Sequence, residues 1–428
     1  MLTEKPGLME AVRDRFAHVD SCPFEGPRVF FENAGGALTL KSVVDTSAKF
    51  AAIPDNQGRA NPAAHALVAL IDKAKQDMAV FFNAPRGRFF VGESGTELLF
   101  RLIRTAIVGT EPGRVLGSTL EHPATRSAAK HWAEVTGKPH ILVAHDDATG
   151  CVGPEAYIPE ITPDTRVATI LHTSPVTGMG VDVGAIAAEI RAVSPECIII
   201  VDGIQHAAHG RLDIESYDID GYVVSPYKVF SRHGYGVAWV SDRLHALKHE
   251  HLIDAPGNPW EFGTRDTGAY VTFSDVVDYF DWLGGEVSSE TDRRARIVAA
   301  GEAIHAQEAR LTEAMIHGTG NLKGLAEIEG ITTDVDGFIA LEEQLYMQIA
   351  EGTGNPLLAS CYRLTIETYR QSFRTKLRRR NLTPRRIQDY QKRYNTLFNA
   401  IASRDVASAV EFIKLHLVEE QKLLLQEF

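Results

Sequence analysis

The sequence predicts an α/β fold in which a mainly parallel seven-stranded sheet is followed by an all-helical C-terminal region. Short β-rich runs alternate with helical stretches between about residues 87 and 245, which is the pattern of α/β proteins. After about residue 285 the strand signal fades. The predicted strands are residues 88–91, 114–116, 140–143, 166–172, 197–201, 221–224 and 236–240.

The direction of the strands follows from how apolar they are. The run Cys-Ile-Ile-Ile-Val at 197–201 has no polar alternation, which indicates a strand buried on both faces. Parallel sheets are buried in this way because their crossover helices cover both faces. Residues 183–193, between two predicted strands, carry apolar side chains at helical spacing.

Helices separated by short breaks are predicted for the C-terminal region. Thr383 and Pro384 are typical of a helix start, because threonine caps a first turn and proline fits the first helical position. A last helix is predicted from about Asp405. The change in composition marks a domain boundary, and the predicted division is an N-terminal segment 1–30, a large domain 31–285, linking helices 286–335 and a helical C-terminal domain 336–428.

Length and composition indicate a soluble protein of two or three domains. The 428 residues are too many for one ordinary core, and apolar and charged fractions of 44% and 23% are those of globular proteins. No apolar run approaches the roughly 18 residues that a membrane span needs, and residues 1–10 lack the layout of a signal peptide. We therefore expect neither membrane insertion nor export.

Charge and cysteine content favour a cytoplasmic protein that does not bind nucleic acid. The net charge of −12 opposes general affinity for a polyanion. The four cysteines, at positions 22, 151, 197 and 361, show neither the spacing of metal ligands nor that of a disulfide framework. A reducing compartment fits this usage best.

Asp202 stands directly after the predicted strand at 197–201, in the segment Val-Asp-Gly-Ile-Gln-His. Ligands bind at the carboxyl ends of strands in open α/β folds. A carboxylate at such a place needs a positively charged or hydrogen-bonding partner. Considered alone, Asp202 would be interpreted as the N-cap of a following helix.

Lys228 gives Asp202 a second interpretation. The segment Ser225-Pro-Tyr-Lys228 follows another predicted strand, 26 residues after Asp202. A lysine that is crowded and desolvated at a strand end can lose its proton and form an imine. The hydroxyl groups of Ser225 and Tyr227 can hydrogen-bond a phosphate. Alone, Lys228 would be interpreted as a surface residue, so the prediction depends on the pairing.

Further motifs surround this pair in a fixed order. Asp202-Gly-Ile-Gln205 and Ser225-Pro-Tyr-Lys228 are followed by the turn Arg232-His-Gly-Tyr-Gly236 and preceded by Phe31-Glu-Asn-Ala-Gly-Gly36. In this order and spacing, over about residues 28–330, the chain resembles the class V aminotransferases and cysteine desulfurases. The resemblance implies a large domain of the aspartate aminotransferase-like fold type I, with pyridoxal 5'-phosphate (PLP) held as a Schiff base on Lys228.

The resemblance also implies roles for the residues around the cofactor ring. Asp202 would bond the protonated pyridine nitrogen, which makes the ring an electron sink. His122, in the pair Glu121-His122, would stack on the ring, and Gln205 would bond the ring hydroxyl. Lys228, Asp202 and His122 are the predicted catalytic residues.

The cofactor phosphate has its own predicted binding residues. Gly95-Thr96-Glu97 resembles the phosphate-binding helix start of the family, and helix N-termini favour phosphate through free amide groups and the dipole. Ser225 would bond the phosphate, and Tyr227 supplies a second hydroxyl group. The segment Glu261-Phe-Gly-Thr264 resembles the one that reaches the phosphate of the neighbouring subunit. The resemblance therefore implies a homodimer with Thr264 at the cofactor.

Within the family, the chain resembles a cysteine desulfurase-like branch in which Tyr227 replaces the usual His before the lysine. Desulfurases take sulfur as a persulfide on a mobile Cys, and no loop of that kind is recognisable. Cys361 lies in Leu-Leu-Ala-Ser-Cys-Tyr-Arg, which predicts a helix with a buried, unreactive thiol. Pro175 stands where the family has an Asn that contacts the cofactor, which predicts a difference in cofactor tuning.

The C-terminal helices resemble part of another family. Residues 341–416 resemble the latter half of the all-helical effector-binding (FCD) domain of GntR-type regulators. That domain often binds a metal through an acid and three histidines. The matching residues here are Glu342, Tyr346, Tyr394 and His416. Because two tyrosines stand in place of histidines, no metal is predicted.

The leading hypothesis is a PLP-dependent enzyme that acts on a small amino acid. Freed Lys228 would move the Cα proton, and a leaving group on Cβ would make the reaction that of a carbon–sulfur lyase. Without a leaving group the enzyme would be an aminotransferase or a racemase. Arg363 or Arg370 could bind the substrate carboxylate, although each also fits a solvated or salt-bridged helix residue.

Two hypotheses from other classes remain open. In the first, the PLP fold is retained without turnover and the C-terminal helices bind an effector or a partner. In the second, the chain is a nicotinamide-dependent oxidoreductase, because Gly178 and Gly180 follow a predicted strand. Gly184, however, comes one residue too late for the G-x-G-x-x-G spacing.

Overall fold

The computed structural model describes residues 2, 5–30, 32–253, 255, 259–264, 266–317, 334–352, 355–370, 379–380, 382–402 and 405–425. The chain divides into two compact units, Met1–His305 and Ala306–Phe428. The four-part division that the sequence predicts stays a prediction.

The first unit is built around a sheet that has seven strands within the described residues. A separate antiparallel pair, β1 (Ser21–Cys22) and β2 (Gly26–Pro27), lies near the N-terminus of the chain. The strands of the main sheet are β3 (Arg88–Gly92), β4 (Arg114–Ser118), β5 (His140–Val143), β6 (Thr165–Leu171), β7 (Ile198–Asp202), β8 (Gly221–Val224) and β9 (Gly236–Val240).

The order of the strands confirms the predicted mainly parallel sheet. The order is β3-β9-β8-β7-β6-β4-β5, and each neighbouring pair is parallel except the two that include β9. Each predicted strand is found with its ends within two residues of the prediction. Asp202 is the last residue of β7 rather than the residue after it.

The apolar run in β7 is explained by two separate cores. Ile198 and Ile200 pack into a cluster with side chains of the helices on one face of the sheet. Ile199 and Val201 pack into a second cluster on the other face. Because alternate side chains of a strand point to opposite faces, a strand with helices on both sides has no position left for a polar residue.

Helices of the first unit connect these strands and cover the sheet. They are α1 (Leu8–Arg13), α2 (Lys41–Ala51), α3 (Pro62–Phe82), α4 (Gly95–Gly109), α5 (Pro123–Thr136), α6 (Pro154–Tyr157), α7 (Val183–Val193), α8 (Ile214–Tyr217), α9 (Asp242–Ala246) and α10 (Thr267–Val287). The predicted crossover helix is α7, and its N-cap Asp182 accepts a hydrogen bond from the Ala185 amide at 2.9 Å. A further helix, α11 (Arg293–His317), contains the boundary between the two units.

The second unit is helical, as predicted. Its helices beyond α11 are α12 (Val335–Gly352), α13 (Pro356–Arg370), α14 (Pro384–Ala402) and α15 (Val406–Leu425). Thr383 accepts a hydrogen bond from the Arg386 amide at 3.3 Å, and Asp405 accepts one from the Ser408 amide at 3.0 Å. Both predicted helix starts are therefore confirmed. In the part of the chain that the structure describes, no helix is long and apolar enough to cross a membrane.

Cys361 departs in part from its prediction. It lies in α13, so the predicted helix is confirmed. Its side chain is exposed, so the predicted burial is wrong. The buried position on this helix is Ala359, and two residues along an α-helix turn by about 200°. The thiol therefore lies on nearly the opposite side of the helix from the buried alanine.

Candidate active site

A pocket of about 340 Å³, which includes its open mouth, lies at the carboxyl ends of the strands. Such an edge is the place where open α/β sheets bind ligands. The side chains come from the start of α4, the residue before α5, the last residues of β6 and β7, and the loops that follow β6, β7 and β8. The residues that line it are Thr96, His122, Leu171, Pro175, Asp202, Ile204, Gln205, Ser225, Tyr227 and Lys228. Seven of the nine predicted site residues are thus brought together.

Asp202 is almost wholly buried, with 1% of its surface exposed. Its Oδ1 accepts a hydrogen bond from the Ile204 amide at 3.1 Å, and its Oδ2 accepts one from the Thr125 hydroxyl at 3.0 Å. Burial raises the pKa of Asp202, while these hydrogen bonds and the nearby His122 and Lys228 act in the opposite direction. Among the described residues, the hydrogen bonds of Asp202 come from an amide and a hydroxyl group, neither of which is positively charged.

Lys228 ends a short 3-10 turn, Pro226–Lys228, that follows β8. Its amide donates to the Ser225 carbonyl at 2.9 Å, and its side chain is half-buried in the pocket wall. Burial lowers the pKa of the Lys228 amine, and the negative charge of Asp202 opposes that shift. A lowered pKa makes an amine available as a nucleophile and as a base.

The start of α4 lies against the pocket. The Ser94 hydroxyl caps the helix by accepting from the Glu97 amide at 3.1 Å. A methyl group on Gly95 would lie 2.4 Å from the Ser225 hydroxyl, so a glycine is needed for the helix to approach β8 so closely. Thr96, in the first turn, lines the pocket. Free amide groups and hydroxyl groups at a helix N-terminus favour a phosphate.

His122 lies at the other end of the lining, as the N-cap of α5. Its Nδ1 accepts a hydrogen bond from the Ala124 amide at 3.1 Å. A ring nitrogen that accepts a hydrogen bond carries no proton, so the neutral imidazole has its proton on Nε2. The helix start therefore fixes both the tautomer and the orientation of His122.

Glu121 is a second buried carboxyl group beside the pocket, with 3% of its surface exposed. The Thr169 hydroxyl donates to its Oε1 at 2.8 Å. Burial raises the pKa of Glu121 to about 8, and the charge of Asp202 adds to this shift. Glu121 is therefore a neutral acid at neutral pH and adds no negative charge beside Asp202.

A cluster of three rings, His172, His206 and Tyr222, packs against the turn that begins at Asp202. The two imidazoles are stacked with centroids 3.4 Å apart, and His172 Nδ1 lies 2.7 Å from the Tyr222 hydroxyl. A methyl group on Gly203 would lie 2.1 Å from the Tyr222 ring. Burial lowers the pKa of His172 well below its usual range and that of His206 to about 4. Both imidazoles are therefore neutral at neutral pH.

Gln205 connects the pocket to the segment that precedes α2. Its Nε2 donates to the Ala34 carbonyl at 2.8 Å, and the Ala37 amide donates to the Tyr227 carbonyl at 2.9 Å. Residues 32–37, the leading segment, are thus tied to both sides of the pocket. Phe31, the first residue of the motif named for this segment, lies outside the described residues.

Two of the nine predicted cofactor-binding residues lie outside the lining. Gly95 packs behind Ser225, as described above. Thr264 accepts a hydrogen bond from Asn56 of the same chain at 3.3 Å, and its reach into a neighbouring subunit stays a prediction. Leu171 and Pro175 form an apolar wall of the pocket.

Some residues around the pocket were missed by sequence reasoning. Thr125 bonds Asp202, and its signal was its place in the first turn of a helix that starts at His122. Ile204 lines the pocket from within the Asp-Gly-Ile-Gln motif. The stacked His172 and His206 left no signal, because they follow different strands and are 34 residues apart.

In the second unit, the residues that match metal-binding positions lie close together. The ring centroids of Tyr346 and Tyr394 are 6.0 Å apart, and those of Tyr394 and His416 are 5.9 Å apart. Glu342 is buried. Among the described residues, no group of three or more His, Cys, Asp or Glu side chains could hold a metal ion. The tyrosines do not fit such a site, and the absence of a metal stays a prediction.

Comparison with known proteins identifies relatives of both parts of the chain. The model of the aminotransferase class-V family matches residues 29–302, and that of the FCD domain matches residues 293–419. The chain is 28% identical over 222 residues to the probable cysteine desulfurase of Mycoplasma genitalium, which covers 50% of this chain and 53% of that protein. It is 29% identical over 238 residues to the cysteine desulfurase-like protein ustD of Aspergillus flavus, and this match covers 53% of this chain and 51% of that protein. The chain thus spans about half the length of these two relatives.

A solved structure supports the fold. The apo cysteine desulfurase of Thermococcus onnurineus NA1 is similar at a TM-score of 0.57 and 17% identity, over 70% of this chain and 73% of that chain. The class-V match covers more than half of the chain and includes the sheet, Asp202 and Lys228. The chain therefore belongs to the aminotransferase class-V family, and its C-terminal residues match the FCD domain.

Proposed function

We propose that this protein binds PLP at Lys228 and acts on a small amino acid as a carbon–sulfur lyase of the cysteine desulfurase-like type. The observation that carries the proposal is that Lys228, Asp202 and the start of α4 meet in one pocket. An amine with a lowered pKa, a buried carboxylate and an anion-binding helix start are three different groups, and PLP needs all three.

The residues present fit the cofactor. The start of α4 with Ser225 and Thr96 would hold the phosphate, and Asp202 would hold the pyridine nitrogen, whose positive charge would complement the buried carboxylate. His122 and the apolar wall at Pro175 would flank the ring. When bound, PLP draws electrons from the bonds at the Cα of an amino acid.

The chain's own residues then account for proton movement and charge. The half-buried Lys228 amine is the base for the Cα proton, because its pKa is lowered by burial. Glu121 keeps its proton at neutral pH, so it adds no second negative charge beside Asp202. The hydrogen bond that His122 Nδ1 accepts from the Ala124 amide fixes the ring orientation, and therefore the direction in which the Nε2 proton can be donated. As Lys228 takes the Cα proton, the Cβ–S bond breaks, a double bond forms between Cα and Cβ, and sulfide or a thiolate leaves. Hydrolysis of the released enamine by water gives pyruvate and ammonia.

Release of sulfur without a persulfide carrier is part of the proposal. In the part of the chain that the structure describes, no cysteine lines the pocket. Cys197 is buried in the sheet, and burial raises the pKa of its thiol to about 12, which leaves it unreactive. The similarity to proteins named cysteine desulfurases supports cysteine as the first substrate to test.

The test is a visible spectrum of the purified protein with PLP, followed by addition of L-cysteine. We expect an absorption band that Lys228→Ala removes, and release of sulfide together with pyruvate. Release of sulfide with alanine would instead indicate desulfurase chemistry, and amino transfer or inversion at Cα without sulfide would indicate an aminotransferase or a racemase. A wild-type protein that acquires no band with added PLP would disprove the proposal.

A second candidate function is favoured by the FCD match at residues 293–419. In this version the PLP fold is retained and the helical unit binds an effector without turnover in the first unit. It predicts a cofactor band that amino acids shift without any product. Turnover of any amino acid would exclude it. A homodimer and a cytoplasmic location belong to the proposal and are tested by sedimentation and by cell fractionation.

A further inference from the structure

Tyr227 and His233 form a stacked pair of rings beside the pocket, and the proposed function gives His233 no role. Tyr227 lines the pocket, and the Lys228 amine lies 5.9 Å from its ring centroid. The ring of His233 lies against Tyr227 with centroids 4.3 Å apart and planes at 16°. The His233 side chain is exposed. The pair thus joins the pocket wall to solvent.

The position of the imidazole is fixed from the side of the leading segment. A methyl group on Gly36 would lie 3.3 Å from Cδ2 of Tyr227 and 3.8 Å from Nε2 of His233. The bond between the Ala37 amide and the Tyr227 carbonyl holds the segment there. Nε2 of His233 therefore lies where the leading segment meets the lysine turn, beside Tyr227 of the pocket lining.

An amino-acid substrate brings a carboxylate that needs a donor or a positive charge. The pocket lining offers Lys228 and His122, and both are assigned to the cofactor and the reaction. Arg232 is next to His233, but its guanidinium is paired with Asp266 and also donates to the His233 carbonyl at 3.2 Å. Asp266 in turn caps α10 by accepting from the Gly268 amide at 2.8 Å, which holds this arginine in its pair.

We infer that His233 is the specificity-determining residue that binds the α-carboxylate of an amino-acid substrate, with Tyr227 as the platform that orients it. The inference rests on the proposed function. An imidazole donates a hydrogen bond from one ring nitrogen in each neutral tautomer and from both when protonated.

The experiment compares two probes that differ in the carboxylate. L-Alanine and ethylamine are titrated into the PLP-loaded protein, and the change in the visible spectrum gives an apparent Kd for each. His233→Phe keeps a ring on Tyr227 but has no donor. We expect it to weaken L-alanine at least about tenfold, as for one hydrogen bond to a charged group, and to change ethylamine less than about twofold.

Two controls separate binding from folding. His131→Phe replaces another exposed histidine that contacts an aromatic ring, Trp132, near the far end of α5, and is expected to leave both Kd values unchanged. The Kd of PLP for the His233→Phe protein is expected to equal that of the wild type. Equal weakening of both probes, or no change in either, overturns the inference while the proposed function stands. If the wild-type protein shows no cofactor band after PLP is added, both the proposed function and this inference are disproved.

Discussion

Two regions of the site differ in how exposed their titratable side chains are. One is the buried floor, with Asp202 and Glu121, and the other is the edge beside Tyr227, with His233 and Arg232. At the floor, Asp202 and Glu121 are almost wholly buried, and burial raises the pKa of both carboxyl groups. At the edge, His233 is exposed and Arg232 forms an ion pair with Asp266. Burial changes a pKa through the loss of solvation, whereas an exposed side chain stays in contact with solvent. We infer that the residues of the floor take part in the reaction, whereas those of the edge determine which substrate binds.

The largest expected effect comes from removing the amine between these two regions. Lys228→Ala is predicted to abolish the cofactor band and to lower turnover by about 10⁴-fold, the upper range for general acid–base catalysis. Turnover is measured as product release from L-cysteine, with circular dichroism to verify folding. Lys130→Ala, on the exposed side of α5, is the control. Activity within tenfold of the wild type in the Lys228 variant would show that another base does the work.

The pH dependence of the free energy of unfolding in Glu121→Gln tests whether the buried Glu121 keeps its proton in the folded protein. The folded protein keeps the Glu121 proton up to about pH 8, whereas the ordinary pKa of the group is 4.5. Folding therefore becomes less favourable as pH rises from 4.5 through 8, by at most about 5 kcal/mol. The variant has no proton to lose and is predicted to lack this slope.

Urea unfolding at pH 5 and pH 9 measures that slope for both proteins. The absolute stability of the variant is a poor guide, because a buried amide adds donors that need partners. Glu155→Gln, at an exposed position, is the matched control and should keep the wild-type slope. The same slope in Glu121→Gln as in the wild type would mean that Glu121 is ionised in the folded protein.

The ring cluster predicts a smaller effect of opposite sign. The pKa of His206 falls from 6.5 to about 4 because of burial, so the unfolded chain takes up its proton first as pH falls. Stability is present above pH 6.5 and is lost towards pH 4, by about 3 kcal/mol. His206→Phe keeps a ring against His172 and is predicted to reduce this loss. Unfolding midpoints at pH 7 and pH 4.5 measure it, and an unchanged loss would point to other groups.

The smallest expected effect lies outside both regions. Cys361→Ala is predicted to change sulfide release from L-cysteine less than about twofold, because the proposed reaction uses no persulfide. Its exposure makes the test necessary, since an exposed thiol can react. Cys151→Ala, also at an exposed cysteine, is the control. Loss of sulfide release with alkylated or mutated Cys361 would turn the proposal towards a desulfurase that carries sulfur on this residue.

What the sequence could predict depended on the distance between interacting residues along the chain. The strands and the meeting of Asp202 with Lys228 followed from local patterns, because the carboxyl ends of parallel strands share one edge of a sheet. The bond from Thr125 to Asp202 joins residues 77 apart and requires the position of α5 on the sheet. The exposure of Cys361 depends on which face of α13 packs inward, which a run of mixed residues does not fix.

The close contact between Gly203 and Tyr222 also limits how this protein can vary. A methyl group at position 203 would overlap the tyrosine ring, and relief by moving the backbone would move Asp202. In a library with all amino acids at position 203, glycine alone should survive selection for cofactor binding. A second library with position 222 also randomised should recover alanine or serine at 203, each together with a smaller residue in place of the tyrosine.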